Sequence, residues 1–126
     1  MNQQDLFFKD ESYKIVGICM EIHRILGSGL SEVVYKDALE YEFGLHGIPC
    51  EREKKYPVEY KGIILPHIFF ADFVVFDNII LEAKALNCIS DTHIAQTINY
   101  IKLTKGQFGL LVNFGAPSLQ YKRLIV

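Results

Sequence analysis

Apolar residues recur at helical spacing from Tyr13 to Leu26, where Ile15, Ile18, Cys19, Ile22, Ile25 and Leu26 share one side. Gly27-Ser28-Gly29 breaks that helix. A second is expected from about Ser31 to His46, capped at Ser31 and closed by Gly47 and Pro49, with Val34, Ala38, Tyr41 and Leu45 inward. Residues 50–61 alternate loosely and contain Pro57, which suits an edge strand. Two strongly apolar stretches near 65–76 and 79–86 predict strands with the density of a buried sheet centre. Ser90 or Asp91 can cap a third helix over 92–104, which Lys105-Gly106 ends. Strands near 108–113 and 120–126 follow, separated by Gly115 and Pro117. The order α-α-β-β-β-α-β-β suits an α/β domain, residues 1–126, in which helices pack on a mixed sheet.

The apolar pattern is interrupted where interruption is costly. The stretch FFADFVVFDNIILEAKAL, residues 69–86, carries Asp72, Glu82 and Lys84 among its hydrophobic residues. An isolated carboxylate there would sooner shift its pKa than stay charged, unless the charges meet one another and a cation. Whether they meet depends on parity. A two-residue turn at Asp77-Asn78 would put Asp72 and Glu82 on opposite faces. A three-residue loop, Phe76 to Asn78, pairs Val75 with Ile79 and sets Asp72 opposite Glu82, with Asn78 as the residue that tolerates a left-handed backbone.

Two carboxylates across such a hairpin form a hard oxygen site suited to Mg2+ or Mn2+. Lys84, on the same face as Glu82, could orient a water or stabilise charge on phosphorus. A purely structural Glu82–Lys84 or Asp72–Lys84 pair accounts for the same spacing equally well. On the third helix His93, Gln96 and Tyr100 form a stripe of neutral donors and an aromatic, beside a core-facing side of Ile94, Ile98, Ile101 and Ala95. Gln96 and Tyr100 could hold a phosphate or orient Glu82, and His93 reads as a rim residue. Glu32, in the first turn of the second helix, is either a dipole-stabilised cap residue or a third carboxylate for the metal.

Composition narrows the partners. Half the residues are apolar and the longest apolar run, near 68–76, is far short of the roughly 20 residues of a membrane span. The N-terminus lacks the basic and apolar regions of a signal peptide, so no membrane association and a cytoplasmic location are expected. Cys19, Cys50 and Cys88 show no CxxC pair and read as reduced thiols rather than zinc ligands. Net charge is −2, but residues 1–83 hold 8 Lys+Arg against 14 Asp+Glu, and residues 84–126 hold 5 against 1. Each basic cluster alone reads as solvated surface, yet local patches still steer a polyanion.

Three motifs stand in order: Gly29-Leu30-Ser31-Glu32-Val33-Val34-Tyr35 as G-x-x-E-x-x-Y, Asp72 with Glu82-Ala83-Lys84 as D…ExK, and Gln96 to Tyr100 as Q-x-x-x-Y. With the LLVNFG stretch at 110–115, the chain from about 12 to 126 resembles the GxxExxY family, small bacterial proteins of the PD-(D/E)xK nuclease superfamily, with a RecB-type Q-x-x-x-Y element. The resemblance implies a restriction-endonuclease-like core, a central four-stranded mixed sheet flanked by helices with an extra N-terminal helix. It implies a Mg2+-dependent nuclease acting on DNA more readily than RNA. Metal binding falls to Asp72, Glu82 and Glu32, catalysis to Asp72, Glu82 and Lys84, and support to Gln96 and Tyr100. Ala71 stands where the signature has proline, a difference of backbone rather than chemistry. A non-cleaving nucleic-acid- or protein-binding module is the alternative. So small a chain offers little surface for wrapping a duplex, so a homodimer or a larger partner is expected.

Overall fold

A computed structural model describes residues 8–126 of the chain. Helices α1 (Lys9–Leu26) and α2 (Glu32–Leu45) precede strands β1 (Cys50–Tyr60), β2 (Ile63–Val75) and β3 (Ile79–Lys84). Helix α3 (Asp91–Leu103) then leads to β4 (Phe108–Asn113) and β5 (Gln120–Ile125). All five strands join one sheet in the order β1-β2-β3-β4-β5. The β1–β2, β2–β3 and β4–β5 pairs are antiparallel, while β3–β4 is parallel. A parallel neighbour cannot be reached by a hairpin, so α3 serves as the crossover. Among the described residues the sheet therefore has five strands where the resemblance implied four, and β1 takes the edge, as its Pro57 foretold. The mixed α/β arrangement itself agrees with a restriction-endonuclease-like core.

One sheet face is covered by α1 and α2. Ile15, Cys19 and Ile22 of α1 and Tyr35, Leu39 and Phe43 of α2 pack there against Phe73, Val75, Leu81, Leu110 and Val112. The other face packs Val74, Ile80, Leu111 and Leu124 against Ile101 of α3.

The inward side of α2 differs from the expected one. Tyr35, Leu39 and Phe43 are fully buried, whereas Tyr41 and Leu45 are 68% and 66% exposed. Two stripes compete on this helix, and the aromatic one wins because it finds ring partners. Tyr35 stacks on Phe114 at 4.7 Å, and Phe43 meets Phe73 edge-on at 5.6 Å. Rotating the helix to that side carries Glu32 and Lys36 toward the sheet. In α1, Ile25 and Leu26 are exposed rather than inward, and on α3 the exposed Ala95 cedes its expected place to the buried Thr97.

Ser31 holds the N-cap position of α2 with an extended backbone, but its side chain makes no capping bond. Ser90 caps α3 in full: its Oγ accepts from the His93 amide, and His93 Nδ1 lies 3.1 Å from the Ser90 amide. His93 is thus a capping-box residue. The three cysteines are unpaired, and burial pushes the Cys19 thiol up to about 12. No helix among the described residues is long and apolar enough to cross a membrane.

Candidate active site at the parting of two strands

The loop between β2 and β3 pairs Val75 with Ile79, Val74 with Ile80 and Phe73 with Leu81. Three residues intervene, the odd count that sets Asp72 opposite Glu82. The left-handed residues are Phe76 (φ 53) and Asp77 (φ 64) rather than Asn78. Asn78 instead donates its side-chain amide to the Phe76 carbonyl, a short local bond that holds the bend.

The ladder stops at Phe73–Leu81, and beyond it the carboxylates replace it. The Asp72 amide donates to Glu82 Oε2 at 2.9 Å, and the Ala83 amide donates to Asp72 Oδ2 at 2.9 Å. Both acids are buried, 8% and 5% exposed. Burial, and then the neighbouring charge of Asp72, push the Glu82 carboxyl up to about 8, against a smaller downward pull from Lys84. Glu82 is thus a buried carboxyl group that resists ionisation.

Lys84 is half-buried and forms no ion pair within 4.0 Å among the described residues. Among the described residues the cation that reaches Asp72 is Lys36, which the sequence pattern had not singled out. Its Nζ lies 2.8 Å from Asp72 Oδ1, 3.2 Å from Glu53 Oε1 and 3.6 Å from Glu32 Oε1. Burial opposes its charge, but the hydrogen bonds and charges of Asp72 and Glu53 outweigh it and hold the ammonium well above its ordinary pKa. Glu53 is the other residue missed. It sits in β1 across from Asp72, where the register passes from Arg52–Phe73 to Lys54–Ala71, and its backbone is left-handed (φ 55). Part of the signal for Lys36 was present, since it lies four residues after Glu32, but only packing settled which side of α2 faces the sheet.

Glu32 thus reaches Asp72 through Lys36 rather than directly, and among the described residues no three of His, Cys, Asp and Glu are grouped as a ready metal cage. Gln96 and Tyr100 lie on α3. The Gln96 side-chain nitrogen stands 3.5 Å from the Tyr100 hydroxyl, and the Tyr100 ring stacks on Phe69 at 4.2 Å. No hydrogen bond joins either to Asp72, Glu82 or Lys84 among the described residues. The Tyr of the G-x-x-E-x-x-Y stretch is architectural: the Tyr35 hydroxyl donates to the Gly27 carbonyl at 2.5 Å and accepts from the Leu30 amide at 3.2 Å. It pins the loop that delivers Glu32.

The chain after Lys84 is held as firmly. Buried Asn113 accepts from the Leu86 and Gly115 amides through Oδ1 and donates through Nδ2 to the Leu86 carbonyl and Gln120 Oε1. A Cβ on Gly115 would lie 2.3 Å from the Leu86 carbonyl oxygen, so only glycine permits that approach.

The donor chemistry fits Mg2+ or Mn2+. Such an ion is held by one or two carboxylates and keeps several waters, and Asp72 and Glu82 supply two oxygen donors. A cation already stands against Asp72 in the form of the Lys36 ammonium.

A family model described as PD-(D/E)XK nuclease superfamily matches residues 9–124. Among curated proteins, none matches the chain. Among solved structures, one described as "Crystal structure of SSO0001" is similar over 97% of this chain, with a TM-score of 0.57 and 15% sequence identity. This chain spans 61% of the length of that one, and at this identity the likeness is one of fold.

Proposed function

The chain belongs to the PD-(D/E)XK nuclease superfamily, and on that footing we propose that it is a Mg2+- or Mn2+-dependent nuclease hydrolysing phosphodiester bonds of nucleic acid, DNA more readily than RNA. The observation that carries the reading is the meeting of Asp72 and Glu82 where β2 and β3 part, with Lys84 one strand step further on.

Asp72 and Glu82 would hold the metal, with Glu32 joining directly or through water. When bound, the ion neutralises phosphodiester charge and lowers the pKa of the attacking water. The chain's own groups do the rest. The two backbone-to-carboxylate bonds fix the inner carboxyl oxygens, which limits how the outer ones can turn. Glu82 must give up its proton before it can serve as a ligand. The Lys84 ammonium orients water for in-line attack and stabilises the charge that builds on the phosphoryl oxygens. Gln96 and Tyr100, the Q-x-x-x-Y pair of the GxxExxY resemblance, contact the phosphate from α3. A second copy of the chain or a larger partner supplies the duplex-binding surface that so small a fold lacks.

A second reading is favoured by one observation, the neutralisation of Asp72 by Lys36 at 2.8 Å. On it, the fold binds nucleic acid or protein without cutting. A cleavage panel of single-stranded, duplex and branched DNA and RNA with Mg2+ or Mn2+ separates the two. Metal-dependent cleavage lost in Glu82→Ala and Lys84→Ala supports the nuclease. Metal binding with no cleavage of any substrate sinks it.

A further inference from the structure

Lys36 occupies a position that a nuclease reading leaves unexplained. Its side chain is 14% exposed, it projects from the second turn of α2, and its ammonium is shared by Asp72, Glu53 and Glu32. Three separate elements, α2, β1 and β2, contribute those acids. Without a cation their carboxylates would repel one another, and Asp72 is buried. The β1 backbone takes a left-handed turn at Glu53, an uncommon conformation for a residue with a Cβ, with its carboxylate on the same ammonium.

We propose that Lys36 is a tethered cation that holds the acidic site together in the metal-free protein and competes with the divalent ion for Asp72, so that metal entry displaces its ammonium. The proposal rests on the metal-dependent reading above. Lys36 is then a positioning residue that sets how tightly the metal is held and preserves the spacing of the carboxylates until it arrives. A univalent ammonium at 2.8 Å from Asp72 Oδ1 lies where a second cation on that oxygen must approach, and like charges at such range repel strongly. Upon displacement, Glu53, whose side chain is 48% exposed, is a partner to which the ammonium can withdraw at the rim.

Calorimetric titration of Mg2+ and of Mn2+ into the full chain tests this, comparing the natural protein with Lys36→Met and with Lys102→Met, which removes the same charge from the exposed end of α3. Lys36→Met is expected to bind each ion at least about tenfold more tightly, while Lys102→Met binds as the natural protein does. In the natural protein, the 13Cε signal of Lys36 is expected to move on saturation with Mg2+. That measurement decides the matter should Lys36→Met fail to fold. Unchanged or weaker binding by Lys36→Met, equal tightening in both variants, or an unmoved Lys36 signal overturns the proposal while leaving the metal site standing. Absence of any binding to the natural protein overturns the metal reading, and the proposal falls with it.

Discussion

The main-chain amide of Asp72 donates to Glu82 Oε2 at 2.9 Å, joining the two acids through one backbone bond at the point where β2 and β3 part. That bond, and its counterpart from the Ala83 amide to Asp72 Oδ2, satisfy both groups in a place that would otherwise leave amides unpaired. Among the described residues no cation forms an ion pair with the buried Glu82 carboxyl group.

The Glu82 carboxyl stands at about 8 in the folded protein and at its ordinary 4.5 in the unfolded chain. Between those values the folded state keeps a proton that the unfolded state has released, so stability falls as pH rises from about 4.5 to about 8 and then levels. The slope is on the order of 1 kcal/mol per pH unit. Lys36, raised above its ordinary 10.5, contributes stability that is lost only at more alkaline pH, outside this window. Urea denaturation across pH 4.5–9 should show the fall in the natural protein and its absence in Glu82→Gln. A fall of equal size in both would assign it to other groups.

A bound divalent ion competes with that same proton. Excess Mg2+ or Mn2+ should raise the unfolding temperature, by an amount equivalent to about 2.7 kcal/mol at a hundredfold excess over Kd. Affinity should increase with pH up to about 8. Differential scanning fluorimetry with and without metal checks this; Asp72→Asn and Glu82→Gln should each lose the metal response.

Asp72 and Lys36 form one unit at 2.8 Å. Asp72→Asn and Lys36→Met should each destabilise the metal-free protein, and the double variant should lose less than the sum. The interaction energy expected from a denaturation double-mutant cycle is between about 0.5 and 3 kcal/mol. Strict additivity would mean that the pair contributes nothing.

Tyr35→Phe removes a hydroxyl that satisfies both the Gly27 carbonyl and the Leu30 amide. The cost should be about 1–3 kcal/mol in urea denaturation, with faster hydrogen exchange at Leu30. Stability unchanged from the natural protein would show that the loop before Glu32 is held by other means.

Asn113→Leu keeps volume but deletes four hydrogen bonds around Leu86, Gly115 and Gln120. A loss of several kcal/mol is expected, and Gly115→Ala should destabilise as strongly, because its Cβ would meet backbone rather than a side chain that can turn away. Far-UV circular dichroism melts of both variants check this. Mild effects would mean that the chain after Lys84 can be rebuilt without harm.

Much of the protein was legible in its residues. Element order, the edge place of β1 and a cap at Ser90 or Asp91 follow from local spacing and turn chemistry, which depend on neighbours a few residues away. The parity of residues 72–82 stood as an either-or, because a strand's period is two, and the β2–β3 register chose the three-residue loop. What the sequence could not decide was which of two apolar stripes on α2 would turn inward. Val34, Tyr41 and Leu45 compete with Tyr35, Leu39 and Phe43, and only the stack on Phe114 and the edge contact with Phe73 break the tie. That rotation also placed Lys36 against Asp72, and the β1 register placed Glu53 opposite. Local pattern determined the acids and the hairpin that carries them; long-range packing chose the cation they face, because burial and charge pairing are settled only where distant segments meet.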